Sequence, residues 1–404
     1  LKAMDGFIGL FGSSNIYIKV LRNLGLNIFN KISFMKVFFI NHASGSHKLW
    51  FTSCFLNEND YHLGINLLDF LKMKFIQLLC LSILLVSCSQ EKSSDILTIY
   101  TSRQPQLIEP LLEQYKEKTG LEVRLLSGKA PQLMERIAVE GNATEADIFM
   151  TVDAGVLWQA AEKEIFQEVD SAILNQNIPE HLRDANGKWF GFSKRARTIV
   201  YNSDSVSVED LSSYEDLAYP KWANKLCLRT STKVYNRSLI ASMIDADGYA
   251  NTKNIVQGWV NNLATEVFSS DTQVLKAVSA GQCGVTIVNT YYLARLAKDP
   301  TYSNLKLFWA NQEGRGTHVN ISGAGVVKYS TNKAEAIKLL EWLSSNEAQE
   351  TYAGANKEFP VMNGVAVGPI LKNWGAFKED LILVEKLGSL QKEAVLLAQE
   401  AEYK

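Results

Sequence analysis

From Ile96 onward the apolar positions switch repeatedly between two periods. "ILTIYTS" (96–102) places β-branched and aromatic residues at the two-residue spacing of a strand. "PQLIEPLLEQYKEKTG" (105–120) follows at helical spacing, with Gly120 as its stop. "LEVRLLSG" (121–128) then predicts a second strand, "APQLMERIAVEG" (130–141) a second helix, and "ADIFMTVDAG" (146–155) a third strand running into a helix at "GVLWQAAEKE" (155–164). Such alternation predicts an α/β lobe built on a mainly parallel sheet flanked by helices.

The pattern repeats further on. "TIVYN" (198–202), "KLCLRT" (225–230) and "CGVTIVN" (283–289) read as strands, with helices over about 238–246, 252–263 and from Tyr291. "GAGVVKYS" (323–330) reads as a strand returning to the first lobe, and 332–353 as an amphipathic helix pair. The expected division is a first lobe of 96–195 and 319–365, a second of 196–318, crossover strands as the hinge, and C-terminal helices over 366–404. The Leu-, Glu- and Lys-rich run from Leu381 lacks sustained heptads, so it is expected to be a surface-packed cap rather than a coiled coil.

One stretch breaks this rhythm. "MKFIQLLCLSILLVSCSQEKSSD" (73–95) has a lysine, an apolar run too short for a membrane span of about 20 residues, then a polar tether. It reads as a secretory signal over 73–87, with Leu85-Val86-Ser87-Cys88 resembling a lipobox, Cys88 as the lipidated residue and 88–95 as tether. Residues 1–72 then read as upstream sequence translated in error, or else as a genuine extra N-terminal segment. The chain is expected on the outer face of the cytoplasmic membrane or in the periplasm, lipid-anchored and monomeric.

Composition changes the picture only by exclusion. The 404 residues are 47% hydrophobic and 21% charged, with a formal charge of -2 and no basic block, which argues against a nucleic-acid partner. Beyond the signal only His181 and His318 remain, in no metal-binding spacing, so a metal would need mostly oxygen donors. No Gly-x-Ser-x-Gly, P-loop or dinucleotide fingerprint occurs, so no enzymatic activity is expected. With Cys88 lipidated, Cys227 and Cys283 are left to form a disulfide in an oxidising compartment, or to stand as two buried thiols.

The chemistry concentrates in "NTYYLARL" (289–296), where two tyrosines sit at a strand-to-helix junction. At a helix start neighbouring phenols can converge on one point, where unsatisfied N–H groups favour a phenolate. A phenol ionises near pH 10, so an ionised pair requires a strong cation, and oxygen donors suit a hard ion such as Fe(III). Adjacent tyrosines can equally pack with one ring buried and one exposed, and the pair alone does not decide.

"LKAVSAGQCGVTIV" before this motif, "HVNISGAGVVK" after it, "GKWFGFSKRARTIVYN" and "TSTKVYNRSLIASMI" together resemble the ferric-iron-binding proteins of bacterial ABC importers, over about 96–365. The resemblance implies a type II two-lobe periplasmic binding protein fold, a ferric-iron receptor and an inner-membrane ABC permease as partner. It implies Tyr235, Tyr291 and Tyr292 as iron ligands. Where some members carry a His-Tyr pair this chain has Ser102-Arg103-Gln104, so a synergistic anion, carbonate, is expected there, held by Arg103 and the N-terminus of a helix begun by Pro105. Outside that context Arg103 reads as an ordinary solvated loop charge. Arg195 and Arg197 are expected mainly in a structural role, and Asp153 as a helix cap. The rival reading is a receptor for an organic or phosphorylated anion, without metal, in which the tyrosines stack on the ligand.

Overall fold

The computed structural model describes residues 96–404; the signal, Cys88, the tether and residues 1–72 lie outside the described residues. The first lobe starts as the periodicity predicts: β1 (Ile96–Thr101), α1 (Glu109–Thr119), β2 (Glu122–Ser127), α2 (Ala130–Glu140), β3 (Ile148–Thr151) and α3 (Ala154–Glu162), then a short α4 (Ala172–Asn177). Gly120 ends α1 at φ 73°, a left-handed conformation that a side chain would strain.

The long strand β4 (Phe190–Asn202) then leaves this lobe for the second. There follow β5 (Leu226–Cys227), α5 (Val234–Asp247), α6 (Tyr249–Asn261), α7 (Asp271–Ser279), β6 (Val285–Asn289), α8 (Thr290–Leu296) and β7 (Leu305–Phe308). β8 (Val319–Val326) returns, and α9 (Lys333–Leu343) with α10 (Asn346–Asn356) forms the predicted helix pair. α11 (Pro369–Asn373), α12 (Lys386–Ser389) and α13 (Gln391–Glu400) complete the described chain.

The strands run β2-β1-β3-β8-β4-β6-β5, with β7 beside β4. Pairings of β1 with β2 and β3, and of β5 with β6, are parallel. Every pairing made by β4 or β8 is antiparallel, so the sheet is mixed. The reason lies in β4: its residues through Ala196 pair with β8, and from Arg197 with β6, so one strand serves both lobes as the hinge. Within the first lobe, glycine permits β4 and β8 to lie close. A side chain on Gly323 would place its Cβ 2.5 Å from the Phe190 carbonyl oxygen, so this glycine serves close strand approach.

One apolar core fills the first lobe around Ile99, Phe149, Trp189 and Leu339. Two fill the second: Tyr214, Trp222, Ile240 and Trp259 on one side, Val274, Val278 and Val288 on the other. Cys227 and Cys283 are joined by a disulfide, with Cα atoms 5.8 Å apart. The run from Leu381 differs from expectation. Val384 and Leu387 enter the first core, while Ala394, Leu397, Ala398, Ala401 and Tyr403 enter the second. Amphipathy was visible in the sequence, but a small-residue Ala/Leu face fits a core as well as a surface, and only packing distinguishes them.

Candidate metal centre

Tyr235 and the Tyr291-Tyr292 pair come from separate elements of the second lobe. α5 starts at Val234, earlier than the periodicity predicts, because Tyr235 and Asn236 are poor helix formers whose burial here outweighs propensity. Tyr235 therefore sits in the first turn of α5 rather than in a preceding loop. Tyr291 sits in the first turn of α8, which is only seven residues long. Its preceding residue, Asn289, is extended and makes no side-chain cap, since its amide faces Arg197 and Tyr291 instead.

These three phenols line one cavity of about 340 Å³ with Ser102, Arg103 and Gln104 of the first lobe. Tyr235 and Tyr291 are 9% and 8% exposed, and Tyr292 is half-buried. The Tyr291 and Tyr292 rings are 4.5 Å apart at 40°. Burial pushes the Tyr235 and Tyr291 phenols above their ordinary pKa, and for Tyr291 the neighbouring Tyr235 and Tyr292 add to it. Left to themselves they stay protonated at neutral pH, so ionising them requires a cation of high charge.

The remaining wall is cationic. Arg195, Arg229, Lys233 and Arg295 all face the cavity beside Arg103. Arg195 lies 5.5 Å from the Tyr235 ring centre, Lys233 5.0 Å from the same ring, and Arg295 5.0 Å from Tyr291. Arg229 lies 5.8 Å from the Tyr235 ring centre. Against these stands one cavity carboxylate, Glu358, already bound to Arg103 at 2.8 Å. A bare trivalent cation would be repelled by this wall. Phenolates, and an anion carried with a metal, would reverse the balance.

Two expectations change shape here. Pro105 opens only a three-residue 3-10 turn, and α1 begins at Glu109, so no α-helix N-terminus points at the cavity from Pro105. Arg103 is 2% exposed and far from solvated: its Nη1 donates to Ser322 Oγ (2.7 Å), its Nη2 to Glu358 Oε2, and only Nε lacks a partner. Ser102 donates to Thr151 Oγ1, and Gln104 is exposed, accepting from Gln106. Asp153 caps α3 by accepting from the Gly155 N–H.

Arg195 and Arg197 divide in function. Arg197 turns into the second lobe and binds Asn236, Asp271 and Asn289. Arg195 faces the cavity, donates by Nη2 to the Val152 carbonyl, and has an Nη1 that is buried without a partner. Sequence reasoning passed over Arg229, Lys233, Arg295, Ser322 and Glu358. Arg295, four residues after Tyr291 and three after Tyr292, was findable from helical spacing. Glu358 and Ser322 carry no local signal, since they reach Arg103 from 255 and 219 residues away. Among the described residues no group of three or more His, Cys, Asp or Glu is placed to hold a metal.

The profile of bacterial extracellular solute-binding proteins matches residues 143–378. The chain belongs to this family. Within it, this solute-binding protein is 43% identical over 336 residues to iron uptake protein A1 of Synechocystis, covering 80% of this chain and 93% of that protein. It superimposes with a TM-score of 0.74 on the Trichodesmium protein IdiA (FutA) solved with iron and citrate, at 44% identity over 76% of this chain and all of that one. The open form of ferric iron-binding protein A from Mannheimia haemolytica gives a TM-score of 0.72 at 36% identity, over 77% of this chain and 99% of that one. The shared architecture is the type II periplasmic binding fold.

Proposed function

We propose that this solute-binding protein captures ferric iron outside the cytoplasm and delivers it to an ABC permease of the inner membrane. Tyr235, Tyr291 and Tyr292 are the metal donors in this reading. The observation that carries it is the convergence of three phenols from α5 and α8 on one cavity whose cations favour their ionised form. The names of the relatives, which describe iron uptake and ferric-iron binding, agree with it.

Three phenolates neutralise one Fe(III), and the surplus positive wall then holds a small anion. Carbonate at Ser102, Arg103 and Gln104 is the proposed co-ligand, with Arg195 as a further donor, because its Nη1 has no protein partner. Iron carried as a carboxylate chelate would meet the same cations. Binding without turnover completes the proposal, with the chain held to the membrane by lipid on Cys88.

Ferric citrate with bicarbonate, added to the purified protein, tests it. The expected result is the visible charge-transfer colour of iron-bound tyrosinate, lost or shifted in Tyr291→Phe. Protein that stays colourless and holds no iron rejects the reading and leaves the metal-free anion receptor. A released lipopeptide lacking a diacylglyceryl group on Cys88 rejects the anchor.

A further inference from the structure

Behind the cavity lies a buried polar network that the proposed function does not use. Arg197, 2% exposed, is its hub. Its Nε and Nη2 both donate to Asn236 Oδ1, at 3.0 and 2.6 Å, and Asn236 is the residue after Tyr235. Its Nη1 donates to Asn289 Oδ1 at 3.1 Å, and Asn289 Nδ2 in turn donates to the Tyr291 phenol oxygen at 3.1 Å. The same Nη1 meets Asp271 Oδ1 at 2.9 Å, while Asp271 Oδ2 accepts from Arg229 at 2.5 Å.

Tyr403 closes the network from the far side. Its hydroxyl donates to the Arg229 carbonyl at 2.6 Å and accepts from Asn236 Nδ2 at 2.9 Å. Ser231 is tied to the same segment through the Tyr403 and Lys404 carbonyls. The loop carrying Arg229 and Lys233, and the first turn of α5 that carries Tyr235, are therefore gripped on one side by Arg197 and on the other by Tyr403.

We infer that Arg197, with Asn236, Asn289, Asp271 and Tyr403, forms a bracket that fixes Tyr235 relative to Tyr291 before any cargo arrives. This assigns Arg197 and Tyr403 as positioning residues, touching no cargo themselves. The inference deepens the proposed function and rests on it for the identity of the cargo. The physical ground is that one rigid guanidinium fork spans partners from three elements, α5, α7 and the end of β6, which a single flexible ammonium cannot do. A preformed second-lobe half-site follows: the phenols meet the metal already spaced, and the entropy of ordering them is not lost on binding.

The test uses the full chain with Arg197→Lys, which keeps the charge beside Asp271, and Tyr403→Phe, which removes only a hydroxyl. Ferric affinity is read by competition with citrate, and ring order in the iron-free state by NMR of ¹³C-labelled tyrosine. Both variants are expected to lose about tenfold or more in affinity, as for other groups that orient metal ligands, with a shifted charge-transfer band. Tyr235 and Tyr291 resonances should broaden, while those of Tyr201 in the same lobe and Tyr115 in the first stay sharp. Unchanged affinity with sharp Tyr235 and Tyr291 signals in both variants overturns the bracket. So does equal broadening of Tyr201, which would mark loosening of the whole lobe. If the wild-type chain takes up no iron, the proposed function fails, and the iron-free spectra still decide the bracket.

Discussion

Arg103 and Glu358 form a buried ion pair at 2.8 Å, joining the loop after β1 to the segment after α10 at the wall of the cavity. Ser193 Oγ donates to the same carboxylate oxygen, so the charge on Glu358 is doubly held. Burial alone would raise this carboxyl's pKa, but Arg103 overcomes it and the net effect is a lowering. A depressed folded-state pKa contributes stability that is present above the unfolded carboxyl value, about 4.3, and lost as pH falls through the folded one. Glu358→Gln leaves the Arg103 charge buried without its counter-ion and should destabilise by about 3–5 kcal/mol at neutral pH. Urea titrations at pH 7 and below pH 4 check this, and the gap between variant and wild type should narrow at the lower pH.

Iron uptake should be acid-labile. Tyr235 and Tyr291 have phenols raised above their usual pKa, chiefly by burial, so each binds its proton tightly when empty and must release it to ligate. Three phenolate donors imply about three protons released per metal, and a ferric affinity that falls with decreasing pH at that slope. Competition against a chelator of known protonation, across neutral to mildly acidic pH, measures it. A slope of one would reject the three-phenol donor set.

The disulfide closes a stretch of 56 residues between β5 and β6. Replacing both Cys227 and Cys283 with Ser should cost about 2–4 kcal/mol by freeing the unfolded chain. The second lobe should therefore melt at lower temperature while first-lobe signals persist, read by hydrogen exchange of β6 against β1.

Gly323→Ala tests the close approach of β4 and β8 in the first lobe. Its new methyl would meet the Phe190 carbonyl at 2.5 Å and Leu157 Cδ1 at 2.7 Å, where β8 lies between β3 and β4 in the first lobe. Overpacking there should destabilise by about 1–3 kcal/mol in thermal unfolding.

The sequence by itself determined what is local. Periods of two and of helical spacing located the strands and helices of 96–164, and Tyr291-Tyr292 announced itself because bonded neighbours must stand together. Where burial worked against propensity the sequence misled: α5 begins at Val234, and the helices after Leu381 complete both cores instead of capping a surface. Only the tertiary structure decided the cavity. It brought Tyr235 to a pair 56 residues along, turned Arg195 inward while Arg197, two residues away, braced the second lobe, and neutralised Arg103 with a carboxylate 255 residues distant. Such meetings depend on where β4 and β8 cross, and because that crossing is a property of the packed sheet, no period along the chain encodes which charges will face each other across it.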